Sequence, residues 1–421
     1  MKTPSAKQFT LASLFFLSMF VSPGIAQDNT MRVHVINVGQ GSATLVEFPC
    51  GAMLVDTGGE NNDEFRSTEA LLNYLDEFFQ RRPDLNNTIS LLMISHPHKD
   101  HTFGVKEVTK KYKVKNVITN GQGTGSGRAG QVYLHQLVAK LEDTPDTADN
   151  IGFYESITEH IPNGGATSAV IDPFDCGEIN PEVRILWGQV LSNPGWSKDD
   201  YDDENNHSVV CKIDYGQASI IMTGDLEIKA IGALLAKHTA TGIFDSDVYL
   251  VGHHGSKNGT TDAFLQAITP EIAVLSFGDY RRELPWTAWA YGHPNKNIVK
   301  QLASKVSSER SPVKVIVGNG KKKFQRYTLS KGLYGTGWDS TIVLTAKTDG
   351  TWASNRREGI ININDADAIA LATLPSIGER RARAIVEFRN RQGRFTTVDD
   401  LVKVPGIGPA TVALLRPLVR I

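Results

Sequence analysis

The sequence predicts a layered α/β sandwich followed by a small all-helical tail. Three observations carry this. From Met31 to about Ile363, short β-branched runs succeed one another with helical patterns between them, which places helices outside packed strands. Several of those runs end in histidine and aspartate, above all the run before His96-Pro97-His98-Lys99-Asp100-His101. Beyond a polar, basic stretch at 351–359, short amphipathic helices take over and an internal repeat appears: Leu374-Pro375-Ser376-Ile377-Gly378 returns thirty positions later as Val404-Pro405-Gly406-Ile407-Gly408.

In chain order, the β-branched runs predict strands at 32–37, 43–48, 52–56, 89–95, 117–119, 209–214, 218–223, 248–251 and 272–276, with a hairpin at Tyr215-Gly216. Apolar spacing predicts helices at 64–80, 131–141, 228–237, 262–267 and 296–305. The glycine-rich stretch 121–130 lacks the Gly-Lys-Ser/Thr ending of a phosphate loop and reads as a mobile loop. The acidic stretch 199–204 reads as a solvated loop. In the tail, helices at 365–373 and 379–391 flank the first repeat, and helices at 398–402 and 409–415 flank the second, so each copy is a helix-hairpin-helix unit.

With 421 residues, 40% hydrophobic and 21% charged, the chain holds two or more domains with real cores, and disorder is excluded as its overall character. A formal net charge of −2 gives no bulk attraction to nucleic acid or membrane, so such a partner must be sought in local patches. Lys2 and Lys7 precede the apolar run from Leu11 to Val21, and Pro23 leads to Gly24-Ile25-Ala26. This reads as a signal peptide at 1–26, cut after Ala26, with an uncleaved anchor as the other reading of a run short for a bilayer. No later segment is apolar enough to span, so the mature protein is expected in a periplasm or secreted. The layout that follows is 27–350 for the sandwich, 351–359 for a linker and 360–421 for the tail. Three cysteines allow one disulfide and leave one thiol. Cys211, inside a strand, reads as a small buried hydrophobe, and a Cys50–Cys176 bridge is one option.

Four strong metal ligands in the six residues 96–101, directly after a strand, are what a binuclear hydrolytic centre needs: two imidazoles for one ion, a carboxylate and a third imidazole for its neighbour. A polar loop capping the next helix would not require three histidines. Other strands end in suitable groups. Thr223-Gly224-Asp225 offers a carboxylate able to bridge, Val251-Gly252-His253-His254 an imidazole for the second ion, and Val55-Asp56 a carboxylate to orient a ligand. Asp100 is placed to orient an attacking water and handle its proton. His34, His135, His160 and His238 stand outside any cluster.

With Asn37-Val38-Gly39-Gln40-Gly41-Ser42, Asn205-Asn206-His207-Ser208 and Tyr291-Gly292-His293-Pro294 added, residues 31–350 resemble the metallo-β-lactamase fold hydrolases, and within them the hydrolase domain of the ComEC competence proteins. The resemblance implies an αββα sandwich holding two zinc ions, with manganese as the other metal. It assigns His96 and His98 to the first ion, Asp100 and His101 to the second, and Asp225 between them. His253 or His254 would complete the second site, and His253, first off the strand, is favoured. His207 is the candidate third ligand of the first ion. His293 would contact a substrate phosphate or its leaving group, or else is a turn histidine held by packing.

Helix-hairpin-helix units bind DNA backbone through amides at the turn and at the following helix N-terminus, without reading bases. The tail resembles the ComEA competence DNA-binding domain. Gly378, Arg380 and Arg381 in the first unit and Gly406, Ile407, Gly408 and Thr411 in the second are the expected contacts. From Gly359 the tail carries nine Lys/Arg against six Asp/Glu, enough for salt-sensitive, non-specific binding. Together these features predict an exported zinc phosphodiesterase or nuclease acting on DNA. The alternatives are a hydrolase of another phosphoester, of phosphorylcholine or nucleotide type, and a non-catalytic DNA-capture protein of DNA uptake.

Overall fold

The computed structural model describes residues 29–143, 153–239, 242–354 and, in the tail, 361–421 apart from 365, 367, 373 and 375. The expected signal peptide, and the expected linker from 355 onward, lie outside the described residues.

The first half of the sandwich contributes β1 (Thr30–Val35), β2 (Thr44–Phe48), β3 (Gly51–Val55), β4 (Thr88–Ile94), β5 (Lys113–Thr119) and β6 (Phe153–Ser156). The second contributes β7 (Pro181–Trp187), β8 (Val210–Tyr215), β9 (Ala218–Met222), β10 (Val248–Leu250) and β11 (Ile272–Leu275). Then come β12 (Glu309–Gly318), β13 (Phe324–Lys331), β14 (Leu333–Gly335), β15 (Ile342–Lys347) and β16 (Trp352–Ser354). One sheet has eight strands in the order β16-β15-β1-β2-β3-β4-β5-β6, and the other six in the order β14-β11-β10-β9-β8-β7.

Strands such as β2, β3 and β9 are buried along their whole length, so each sheet needs a layer on both faces. Val33, Val46, Met53 and Leu91 of one sheet meet Ile213, Ile220, Val248 and Val274 of the other in a shared core. The alternate residues Leu45, Leu54 and Leu92 point the other way, onto Leu71, Leu75 and Phe78 of the helix Ser67–Arg81. Ile221, Tyr249 and Ala273 do the same beneath the helices Ile228–Lys237 and Asp262–Ile268. The result is the four-layer α/β/β/α sandwich. Cys50 and Cys176 form a disulfide, and Cys211 is free and buried.

Several expectations change. The strand expected at 117–119 begins at Lys113, because Lys113 and Lys115 alternate outward while Val114 and Asn116 turn in. Helix already begins at Arg128 within the supposed mobile loop 121–130. That stretch is tied down, with Gly127 N–H donating to Pro97 O at 2.7 Å and Thr102 Oγ1 to Gly127 O at 2.9 Å. The acidic stretch 199–204 is a short helix, Lys198–Asp202, followed by a 3₁₀ turn, Glu204–His207. Residues 352–354, read as linker, pair with β15 as an edge strand. The antiparallel ribbon β12–β13 has no counterpart in the expected set, since its mixed charged and apolar residues show no sustained apolar run.

The tail holds helices Ala368–Ala372, Glu379–Gln392 and Pro409–Leu415 and a 3₁₀ segment, Val398–Lys403, around its own core of Leu371, Ile385, Phe395, Leu401, Ile407 and Leu415. A short parallel pairing of Ile361–Asn362 with Val419–Arg420 ties its ends together. Among the described residues, no helix is long and apolar enough to cross a membrane.

Candidate metal centre

β3, β4, β9, β10 and β11 are joined by parallel pairings within their two sheets, and the site forms where their chains leave the sheets. β3 delivers Asp56, held at φ 58°, and β4 delivers Ser95 and His96. Asp56 accepts from Ser95 N–H at 2.8 Å, from Ser95 Oγ at 2.9 Å and from His101 Nδ1 at 2.7 Å. That last bond fixes the His101 tautomer and turns Nε2 toward the cluster. His98 caps the short helix Lys99–Thr102, which carries Asp100 and His101. Its backbone is clamped from behind: Ser42 N–H donates to Asp100 O at 2.9 Å and Thr57 N–H to His101 O at 2.8 Å. A Cβ on Gly58 would stand 2.1 Å from the Asp100 carbonyl carbon, so only glycine fits there.

Asp100, His101, Asp225 and His254 each bring a ligand atom within 4.8 Å of the others. His101 Nε2 lies 3.2 Å from Asp225 Oδ1, and His254 Nε2 lies 3.4 Å from Asp225 Oδ2 and 3.3 Å from Asp100 Oδ2. Two donors held at about 2.0–2.1 Å on one tetrahedral ion stand about 3.3 Å apart. The Nε2 atoms of His96, His101 and His254 are buried without a hydrogen-bond partner, an arrangement a protein tolerates where an ion supplies the missing contact. The residues present therefore fit divalent cations. His96 adjoins both His98 and His101, with ring centroids 4.7 Å and 4.1 Å away.

Two sequence expectations are corrected. His254, not His253, enters the cluster. Both residues adopt left-handed backbone, at φ 53° and 49°. His254 Nδ1 is anchored on Ser276 O at 2.7 Å, whereas His253 turns outward, with Nδ1 3.2 Å from Glu227 and Nε2 3.9 Å from Asp225. His207 has no nitrogen to give: Nδ1 accepts from Val190 N–H at 2.9 Å and Nε2 donates to Tyr201 O at 2.7 Å.

Burial and neighbouring charges shift the titration of these groups in opposite directions. Burial and the neighbouring His101 and His98 charges push the His96 imidazole well below its usual value. Burial opposes protonation of His254 too, but the Asp225 and Asp100 carboxylates raise it to about 10. His101 is likewise raised well above its usual value, against burial, by Asp225 and Asp56. Although burial works the other way, these imidazoles hold the Asp225 and Asp100 carboxyls below their usual range. Cations binding here take the place of those protons.

His293 lies beside the cluster, and burial plus the His254 and His253 charges lower it to about 3, which keeps it neutral. The Gln40 side-chain amide lies 3.2 Å from His293 Nδ1, and with that amide donating, the proton of His293 is assigned to Nε2. A cleft of about 870 Å³ opens over these residues, with Lys99, Lys257, Lys321 and the 75% exposed Trp286 also lining it. Sequence reading missed the hydrogen bonds that Ser95 and Gln40 make here, the Glu204 Oε2 atom 3.4 Å from His98 Nε2, and Trp286 at the cleft. Ser95 directly precedes His96, and Gln40 lies in the quoted motif at 37–42, so their positions were signals for both.

Removing the Asp56 anchor tests the support of this site. Asp56→Asn is expected to weaken binding of the ion held by His101 by about 10–100-fold, read by metal titration. Unchanged affinity would show that the Asp56 bond does not orient the ligand.

In the tail, Gly378 and Gly408 precede the helices Glu379–Gln392 and Pro409–Leu415, and a Cβ on either would meet nothing within 4 Å. Gly406 has φ +85°, while Ser376 holds the equivalent left-handed position at φ 61°. Arg380 is exposed, Arg381 donates to Ser376 O at 2.6 Å, and Thr411 is half-buried in the first turn of its helix. Ile407 is corrected: its side chain is buried in the tail core and its N–H donates to Val404 O, leaving nothing for a ligand.

A family profile described as the metallo-beta-lactamase superfamily matches residues 36–279, and one described as the helix-hairpin-helix motif matches residues 357–420. The chain is 30% identical over 177 residues to Competence protein ComA of Neisseria gonorrhoeae, covering 41% of this chain and 23% of that protein. It is 25% identical over 296 residues to ComE operon protein 3 of Bacillus subtilis strain 168, covering 68% of this chain and 32% of that one. It is 31% identical over 81 residues to ComE operon protein 1 of the same organism, covering 18% of this chain and 40% of the relative. The chain thus spans well under half the length of each of these relatives.

Proposed function

The chain belongs to the metallo-beta-lactamase superfamily, and from that premise we propose that it is an exported, metal-dependent phosphodiesterase that cleaves DNA, with zinc as its expected metal. The observation that carries the reading is the fusion of a histidine–aspartate cluster able to hold a metal ion to a domain matching the helix-hairpin-helix motif. Competence proteins among the relatives support the same direction.

His96 and His98 would hold one ion, His101, Asp100 and His254 the other, and Asp225 would serve both. When bound, such ions lower the pKa of water and polarise the bond under attack. The chain's own residues do the rest. Asp100, 32% exposed at its side chain where the other cluster members are nearly closed off, faces the cleft and orients the attacking water. Neutral His293 presents Nε2–H to a phosphate oxygen or to the leaving group. Lys99, Lys257 and Lys321 draw phosphates to the cleft, and Trp286 offers a base a face to stack on. The amides before the helices at 379 and 409 hold backbone phosphates at a distance from the cut.

The test follows cleavage of single- and double-stranded DNA by the full chain and by an Arg380→Glu/Thr411→Glu variant. The variant is expected to need about 10-fold more DNA for half-maximal rate, with kcat unchanged and a shallower salt dependence. A small phosphodiester, too short to reach the tail, should be cleaved equally by both. No metal-dependent DNA cleavage by the unaltered chain would overturn the proposal.

A further inference from the structure

With His207 engaged by the fold, the first metal position retains two imidazoles, His96 and His98, and lacks a third histidine. We propose that the Glu204 carboxylate is the third protein ligand there, making a two-histidine, one-carboxylate position; the inference rests on the two-ion reading above.

Distance is the first argument. Glu204 Oε2 stands 3.4 Å from His98 Nε2. Inside the cluster His254 Nε2 keeps 3.4 Å from Asp225 and 3.3 Å from Asp100. A direct imidazole–carboxylate hydrogen bond in the same site, His101 to Asp56, measures 2.7 Å. Glu204 therefore meets His98 at the spacing of two donors sharing an ion, not of two groups bonded to each other.

The second argument is the orphaned nitrogen. His96 is 0% exposed, its Nε2 has no partner, and its ring adjoins that of His98. An ion held between them would supply that partner, and a carboxylate is a charged donor able to share it.

The backbone supplies the third. The 3₁₀ turn Glu204–His207 is held by bonds from the residues that flank Glu204. Asp203 Oδ1 accepts Asn205 N–H at 3.0 Å, and Asn206 Nδ2 donates to Asp200 O at 2.8 Å. His207 is bonded at both nitrogens. The residues after Glu204 thus fasten the turn while Glu204 itself reaches His98. Asn205 is the competitor, since its Oδ1 is buried without a partner, but it is a neutral oxygen and its amide already donates to Glu227 at 3.2 Å.

Metal counting tests this without reference to cleavage. The full chain is stripped with chelator, dialysed against buffered Zn²⁺ and assayed for ions per chain by mass spectrometry, with circular dichroism melting as the check on folding. The unaltered chain is expected to hold two ions. Glu204→Gln should hold one, its second binding at least 10-fold weaker, and Glu204→His should restore the second. His207→Gln should keep both. Two ions at unaltered affinity in Glu204→Gln overturn the assignment, as does loss of an ion in Asn205→Ala but not in Glu204→Gln. Fewer than two ions in the unaltered chain overturn the two-ion reading and the inference with it. Absence of DNA cleavage with two ions bound overturns only the proposed substrate.

Discussion

Asp225→Ala is expected to lower kcat/KM for DNA cleavage on the order of 10³-fold, about 4 kcal/mol of transition-state stabilisation, and to cost at least one bound ion. Its carboxylate is closed off from solvent and stands between His101 and His254, 3.2 Å and 3.4 Å from their Nε2 atoms. Among the described residues no other carboxylate takes that place, because Asp56 is spent on His101 Nδ1 and Asp100 reaches only His254 among these two rings. Asp225→Asn separates charge from shape: it keeps the volume and should lose nearly as much. Steady-state kinetics with metal counting checks both variants. More than a tenth of the original activity in Asp225→Ala would show that this carboxylate is not part of the reacting centre.

The largest expected stability loss lies far from the chemistry. Arg82→Ala should cost about 3–5 kcal/mol of unfolding free energy, because it takes the nearest cation, 2.8 Å away, from the buried Glu47 carboxylate. Arg82 donates to Glu47 Oε1 at 2.8 Å, to Phe48 O at 3.1 Å and to Pro49 O at 2.8 Å, fastening the β2–β3 hairpin to the end of the helix Ser67–Arg81. Burial alone would raise the Glu47 pKa, yet hydrogen bonds from His34 and Arg82 and the Arg32 charge bring it down to about 2. A lowered carboxyl contributes stability that is fully present above its ordinary 4.5 and is lost as pH falls toward 2. Urea unfolding at pH 7 and at pH 3 checks both points. The gap between variant and unaltered chain should narrow at the lower pH, and a loss below about 1 kcal/mol at pH 7 would show that the pair is not stabilising.

The parts legible in the sequence share one property: the signal is local. A β-branched run followed at once by ligands gave β4 with His96–His101 and β9 with Asp225, and the repeat gave both hairpins. What escaped depends on backbone direction or on distant partners. His253 was favoured over His254 because it comes first off the strand, but left-handed backbone at both residues swings the second ring inward and the first toward Glu227. His207 sits one residue from its strand, yet its ring is captured by Val190 and Tyr201, which no spacing rule reveals. Glu204 was hidden by its acidic neighbours, whose charges are solvated while it turns toward His98. The β12–β13 ribbon and β5 carry too many lysines to stand out from helix or loop.

The Cys50–Cys176 bridge closes a ring of chain with a sequence separation of 126, and the run His96–His101 lies inside that ring. A protease that nicks the chain anywhere between the two cysteines therefore releases no fragment. Both pieces stay covalently joined, and the ligands with them, until the bridge is reduced. In an oxidising, protease-rich surrounding the covalent ring acts as a fail-safe for the metal centre, and once it is reduced only the shared core and strand pairings hold the nicked pieces together.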